Sequence, residues 1–144
     1  MTEAITSFSG KYRWLSNFYP VSGSEHHATV EHRFQCIKAA TSKEATWVRS
    51  APSPTEAKRR GRQVAIREDW EQRKNGIMEL CVRDKFAVPK LRRMLLATGD
   101  AHLEEDNTWG DRYWGTVNGV GENILGRILM KIRAEIQAEE TEWD

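Results

Sequence analysis

Across residues 123–139 the apolar side chains Ile124, Leu125, Ile128, Leu129, Ile132 and Ile136 recur at intervals of three and four. That period gathers all six on one face of an α-helix. Such a stripe must be covered, so the rest of the chain has to fold against it. The preceding segments offer mostly further helices. Thr29 is a candidate N-cap for a helix whose Val30, Phe34 and Ile37 point inward. A short helical piece over 43–49 follows. Ser53-Pro54-Thr55-Glu56 is a strong helix start. Ser53 caps it, Pro54 suits the first turn, and Glu56 completes a capping box; the helix ends near Gly61. Residues 67–87 read as one or two helices with a candidate break at Asn75-Gly76, burying Met78, Cys81, Val82 and Phe86. Pro89 opens another, with Leu91, Met94 and Leu95 inward and Thr98-Gly99 as its stop. Residues 8–27 hold no period, which predicts short extended segments and turns broken at Pro20 and Gly23. Residues 100–121 read as loop with one short strand. The expected fold class is mainly α (α+β with minor short strands), in one compact domain over 1–144. Its core spans about 8–137, and 138–144 form a disordered acidic tail.

Length and charge narrow the function. A chain of 144 residues fits one domain. With 22 Lys+Arg against 21 Asp+Glu the net charge is +1, which argues against a broad electrostatic grip on nucleic acid. No apolar run is long enough for a membrane span, and no signal-peptide pattern opens the chain. Cys36 and Cys81 form no spaced motif and read as core cysteines, and the expected setting is the reducing cytoplasm. His26, His27, His32 and His102 lack zinc spacing, so no metal is expected. Six tryptophans are many for this length, and Trp14, Trp70, Trp109 and Trp114 lie in polar or Gly-rich surroundings.

Four segments can carry chemistry. Glu31, Gln35 and Lys38 fall on one stripe beside the apolar face of their helix. By spacing alone that is either the edge of a cleft or an ordinary solvated boundary, and the second is the commoner case. In Trp109-Gly110-Asp111-Arg112-Tyr113-Trp114-Gly115 an acid sits between indoles that can stack on a base or sugar. The alternative is loop anchoring, with Asp111 closing a turn. Val117-Asn118-Gly119-Val120-Gly121-Glu122-Asn123 runs into the last helix and reads as a phosphate loop or as a tight loop closed by an Asn cap. It is not a dinucleotide fingerprint, because Ile124 stands where the third Gly is needed. Tyr12-Arg13-Trp14-Leu15-Ser16-Asn17-Phe18 mixes aromatics with hydrogen-bonding groups, and packing is the commoner role there. Lys58, Arg59, Arg60, Arg62 and Arg67 form a basic cluster, read as a solvated face able to attract a phosphate-bearing substrate.

Taken in order, these residues resemble the NADAR (YbiA-like) family. The resemblance runs through Phe8-Ser-Gly, Trp14-Leu-Ser-Asn-Phe18, Thr29-Val-Glu-His-Arg-Phe-Gln35 and Lys38-Ala. It continues through Ser53-Pro-Thr-Glu-Ala-Lys58, Gly61-Arg62, Arg67-Glu-Asp-Trp70, Met78, Lys85-Phe86, Leu95-Leu-Ala-Thr-Gly-Asp100 and Leu103-Glu104. It closes with Asp111, Trp114-Gly115, Gly121-x-Asn123-x-Leu-Gly126 and Ile128-Leu-Met-x-Ile-Arg133. The resemblance implies a YbiA-like N-glycosidase with a nucleotide-sugar cleft and no cofactor or metal. It implies Glu31 and Asp111 as catalytic carboxylates, with Lys38 or Lys85 as an alternative amine that traps an opened sugar. Trp14, Phe18, Trp70 and Trp114 would meet base or ribose. Asn17, Gln35 and Asn123 would donate and accept hydrogen bonds, and Gly119 and Gly121 would meet phosphate. The implied substrate partner is an ADP-ribosylated guanine nucleotide or nucleic acid, with functional pairing to an ADP-ribosyltransferase toxin. Phosphorylated ribosylamines of riboflavin synthesis, and a non-catalytic ADP-ribose- or NAD-binding role, are the alternatives.

Overall fold

The computed structural model describes residues 2–21 and 29–142. Six α-helices follow a 3-10 helix at Gly10–Leu15: α1 Val30–Lys38, α2 Ser42–Arg49, α3 Pro54–Gly61, α4 Trp70–Lys85, α5 Pro89–Ala97 and α6 Ile124–Glu142. The chain divides into two units. One is Asn17–Lys85, and the other joins Met1–Ser16 to Phe86–Asp144.

In the Asn17–Lys85 unit α1 is the central helix, packed against α2, α3 and α4. Its start is locally encoded, because the Thr29 hydroxyl accepts the His32 N–H at 3.1 Å. The His32 ring is buried; Nε2 donates to the Ala51 carbonyl at 2.9 Å and Nδ1 lies 2.8 Å from the Thr29 hydroxyl. This ties the start of α1 to the chain leaving α2. Cys36, Val48, Ala51, Ala57 and Val64 form the apolar centre of this unit. Burial pushes the Cys81 thiol up to about 12, so it stays protonated and inert, as a packing cysteine should. α4 runs unbroken through Asn75-Gly76, contrary to the expected break. The buried Ile77, Met78, Cys81 and Val82 reward continuing the helix, which outweighs the roughly 1 kcal/mol cost of an internal Gly.

Ser53 caps α3 as expected, accepting the Glu56 N–H at 3.1 Å. The Glu56 carboxylate does not close the box; it turns to Arg59 and Arg60. The Arg59 guanidinium bonded to it, helped by Arg60, holds its carboxyl at about 2 instead of 4.5. A depressed carboxyl stabilises the fold above its unfolded value and loses that contribution as pH falls through the folded one. An NMR titration should therefore place the Glu56 midpoint near 2. An ordinary midpoint would show that the arginine pairing does not persist in solution.

In the other unit α5 packs against α6. Leu91, Leu95, Leu125, Ile128, Leu129, Ile132 and Ile136 are buried, matching the expected stripe, while Met94 is only half-buried. Buried Arg133 donates to the Thr98 hydroxyl at 2.9 Å and so links α6 to the end of α5. The tail expected to be disordered is helical to Glu142, because Arg92 pairs with Glu139 at 3.2 Å and Glu140 at 2.8 Å. Trp143 and Gly23 lie outside the described residues, as do His26 and His27. Residues 10–15 are a 3-10 helix where extended chain was expected, with Trp14 and Leu15 buried by it. No strand forms among the described residues; isolated bridges replace it, including Ile5 with Leu103 and Val117 with Val120. No helix among the described residues is long and apolar enough to cross a membrane.

Candidate active site

Helix α1 carries the first group of candidate residues. Glu31 lies in its first turn, where the positive end of the helix dipole favours a carboxylate. Enclosure by three helices buries Glu31 and Gln35, so the stripe is an interior feature and not a solvated boundary. The Gln35 carboxamide bridges its neighbours. Nε2 donates to Glu31 Oε1 at 2.8 Å, and Oε1 accepts from Lys38 Nζ at 3.3 Å. Burial lowers the Lys38 ammonium below the usual lysine range, the Glu31 charge works against that, and Arg62 adds to it.

The segment Asn17-Phe18-Tyr19 gathers three helices around this line. The Asn17 carbonyl accepts the Glu31 N–H at 3.1 Å, one of the donors that the start of α1 leaves unpaired. Its amide reaches Met78 Sδ on α4 at 3.5 Å. Lys58 of α3 sits over the Phe18 ring at 6.0 Å, and Lys85 of α4 over the Tyr19 ring at 5.7 Å. Lys85 is almost fully buried, and Phe18 is 37% exposed. Trp70, at the start of α4, lies with its centroid 4.9 Å from Phe34 and is itself largely buried. Within this unit, then, Glu31, Gln35 and Lys38 come together with Asn17 bonded to the Glu31 main chain, Lys85 lies against Tyr19, and Trp70 packs on the α1 side chain next to Gln35. Sequence reasoning missed Tyr19, whose only signal was its place beside Phe18.

Asp111 belongs to the other unit. Its Oδ1 accepts the N–H groups of Tyr113 at 3.0 Å and Trp114 at 2.9 Å, the side-chain turn foreseen as the bland alternative. That turn also fixes the carboxylate's direction. Buried Asn107 holds the loop from below. Its Nδ2 donates to Asp111 O at 2.8 Å, Thr116 O at 3.0 Å and Glu105 O at 3.3 Å, and its Oδ1 accepts the Asp111 N–H at 3.0 Å. Nothing in the sequence marks this asparagine. Trp114 is half-buried, with Tyr113 edge-on at 4.9 Å, and Trp109 is exposed.

Three sets of candidate binding residues make structural contacts. Around the start of α6, four of the N–H groups that a phosphate would need are already paired. Glu122, Asn123, Ile124 and Leu125 donate their N–H groups to the carbonyls of Arg112, Gly115, Tyr113 and Trp114 at 2.8–3.1 Å. Gly121 serves this close approach, since a β-carbon there would stand 2.6 Å from Gly115 O and 2.8 Å from Arg112 O. Asn118 and Gly119, both at positive φ, make a two-residue hairpin turn, and the Gly119 N–H goes to Asp106 Oδ1 at 3.0 Å. Asn123 precedes α6 and its carbonyl accepts the Arg127 N–H at 3.0 Å, while its side chain bonds elsewhere. It sits at φ 51°, with its amide bonded to Leu103 O at 3.0 Å and the Glu105 N–H at 3.2 Å. Trp14 is buried edge-on to Phe86 at 6.2 Å, which gives it the packing role. Trp47 is 39% exposed and covered on one face by Arg60 at 5.0 Å. Among the described residues no group of three or more His, Cys, Asp or Glu is placed to hold a metal ion.

The fold and these residues define a mainly helical protein with an interior carboxylate–carboxamide–amine line. Residues 6–137 match the NADAR domain, and the chain belongs to that family, beside the YbiA N-glycosidases. It is 37% identical over 149 residues to N-glycosidase YbiA of Shigella boydii, covering 96% of this chain and 92% of that protein. It is 37% identical over 132 residues to riboflavin biosynthesis protein VVA0006 of Vibrio vulnificus, covering 86% of this chain and 35% of that protein. The NMR structure of the Escherichia coli protein YbiA is similar with a TM-score of 0.84 at 36% identity, covering 99% of this chain and 90% of that one. The resemblance noted in the sequence and the mainly helical class are thereby confirmed.

Proposed function

We propose that this chain hydrolyses the N-glycosidic bond of ADP-ribosylated guanine, in nucleic acid or free nucleotide, and releases ADP-ribose. The observation that carries this reading is the buried Glu31 carboxylate, oriented by Gln35 and set beside a half-buried Lys38. In N-glycoside hydrolysis the bond from the anomeric carbon to the base nitrogen breaks with positive charge developing on the sugar. Water supplies the hydroxyl to the sugar and a proton goes to the leaving nitrogen. A buried carboxylate stabilises the developing charge or takes the proton from water. Phe18, 37% exposed, is the stacking surface of this unit; in the other unit Asp111, aimed by two backbone N–H groups, is the candidate carboxylate, with half-buried Trp114 beside it. Burial that weakens the Lys38 ammonium also suits a Schiff-base route through an opened sugar. That route ranks second, because Lys38 points its donor at Gln35.

The test is release of ADP-ribose from guanine-ADP-ribosylated DNA, with and without EDTA, and with borohydride added during turnover. Direct hydrolysis without metal predicts release in both conditions and no protein-bound sugar. Absence of release from a folded sample refutes the reading. ADP-ribose affinity that survives Glu31→Gln without any product would make the chain a binding module. The similarity to a riboflavin biosynthesis protein motivates a second substrate, a phosphorylated ribosylamine. The ratio of kcat/KM values on the two substrates decides between them. Preference for the guanine adduct would fit pairing with an ADP-ribosyltransferase toxin.

A further inference from the structure

We infer that Gly61 is a positioning residue for the Glu31–Gln35–Lys38 line, and that its missing side chain is what lets Gln35 bridge the other two. Gly61 is the last residue of α3 and is buried against α1. A β-carbon on it would overlap Gln35 Oε1 and stand 2.7 Å from Cδ and 3.1 Å from Cβ. The carboxamide therefore lies flat on the α3 backbone. Its orientation is fixed by chemistry as well as by space. An ammonium only donates and a carboxylate only accepts, so Oε1 must face Lys38 and Nε2 must face Glu31, as observed. Any side chain at position 61 drives Oε1 out of its place and breaks both bonds together. The worst obstruction is with the free end of a side chain, so Gln35 moves, while the Cβ contact at 3.1 Å asks α1 and α3 to give only by a few tenths of an ångström. Gly61 has no positive φ, and elsewhere in a helix Ala would be the better residue. Conformational freedom of the backbone is thus not the reason for glycine here; room for Gln35 is.

This inference rests on Glu31 acting in the proposed hydrolysis, and the experiment separates the two. Gly61→Ala, Gln35→Ala, their double variant and Glu31→Gln are compared on guanine-ADP-ribosylated DNA, with thermal unfolding of each. Misplacing a reacting group by about 1 Å can cost two orders of magnitude. Gly61→Ala is accordingly expected to lower kcat at least about tenfold with KM changed by less than about threefold. In the Gln35→Ala background, Gly61→Ala should lower kcat no further and should lower Tm less than it does with Gln35 present, since Oε1 and Cδ are gone and only the tight Cβ contact at 3.1 Å remains. Additive losses, or a Tm that falls equally in both backgrounds, would mean that Gly61 only supports the α1–α3 packing and would overturn the inference. If Glu31→Gln is inactive while Gly61→Ala has wild-type kcat, the positioning role alone fails. If Glu31→Gln is fully active, the catalytic reading fails instead. The Gln35 side-chain amide NMR resonances supply a readout that needs no substrate. They should move to the position of a solvent-exposed carboxamide in Gly61→Ala, and unchanged resonances would refute the displacement.

Discussion

Glu31→Gln is expected to lower the rate of ADP-ribose release by about 10²–10⁴-fold, the range typical of losing a positioned acid or base, with thermal unfolding nearly unchanged. The two parts follow from different features. The fold should tolerate the change because Gln is isosteric, and its carbonyl can accept the Gln35 Nε2–H that Glu31 Oε1 accepts now. The Asn17 carbonyl bonds the main chain of residue 31 and does not depend on the side chain. Chemistry should not tolerate it, because a neutral amide neither balances charge on the anomeric carbon nor takes a proton from water. Lys38 gives a second readout. Burial already lowers its ammonium, and the Glu31 charge is the influence that raises it. Removing that charge moves the Lys38 midpoint further down, so any rate-limiting deprotonation of Lys38 shifts to lower pH in the variant. A loss of less than about tenfold would remove Glu31 from the chemical step, since that is below the usual contribution of such a group.

What the sequence revealed and what it hid differ in the range of the interactions involved. Thr29 and Ser53 were legible as caps because each bonds an N–H three residues on, within its own turn. The stripe of α6 was legible because burial of Ile128, Leu129 and Ile132 follows helical period alone. The choice between the two readings of residues 117–123 was not legible, because the groups that occupy the start of α6 come from Arg112, Tyr113, Trp114 and Gly115, and no local pattern announces carbonyls arriving from an earlier turn. α3 ends at Gly61, as expected, but the reason for a glycine there was not legible. Gly61 is a helical residue whose use depends on Gln35, twenty-six positions earlier (61 less 35). For the site, the identity of Glu31, Gln35 and Lys38 was legible as a stripe, but the burial of Glu31 and Gln35 was not. That depends on α1 being enclosed by three other helices, which its own modest amphipathicity does not reveal.

The same long-range logic makes Asn107→Ala the most damaging loop substitution, with Tm expected to fall by roughly 10 °C and ADP-ribose release reduced in parallel. The estimate comes from asking which partners are stranded. Glu105 O and Thr116 O also accept backbone N–H groups, from Thr116 at 2.9 Å and Asn107 at 2.8 Å, and keep them in the variant. The Asp111 N–H and carbonyl lose the partner that Asn107 gave each of them. Two polar groups left unpaired cost about 1–3 kcal/mol each when buried, and Asp111 is half-buried, so water recovers part of it. About 3 kcal/mol remains, and at about 3–4 °C per kcal/mol for a chain of this size that gives the stated shift. Activity should follow because the loop carrying Asp111 loses the anchor at its own main chain, even though the Tyr113 and Trp114 N–H groups still bind the carboxylate. Asn107→Asp discriminates further. It keeps an acceptor for the Asp111 N–H but turns carboxylate oxygen towards three carbonyls, so it should be no better than Ala. A Tm within about 2 °C of wild type for Asn107→Ala would mean the loop is held by its backbone ladder alone. Normal Tm with lost release would instead point to Asn107 acting on the direction of Asp111 and not on the stability of its loop.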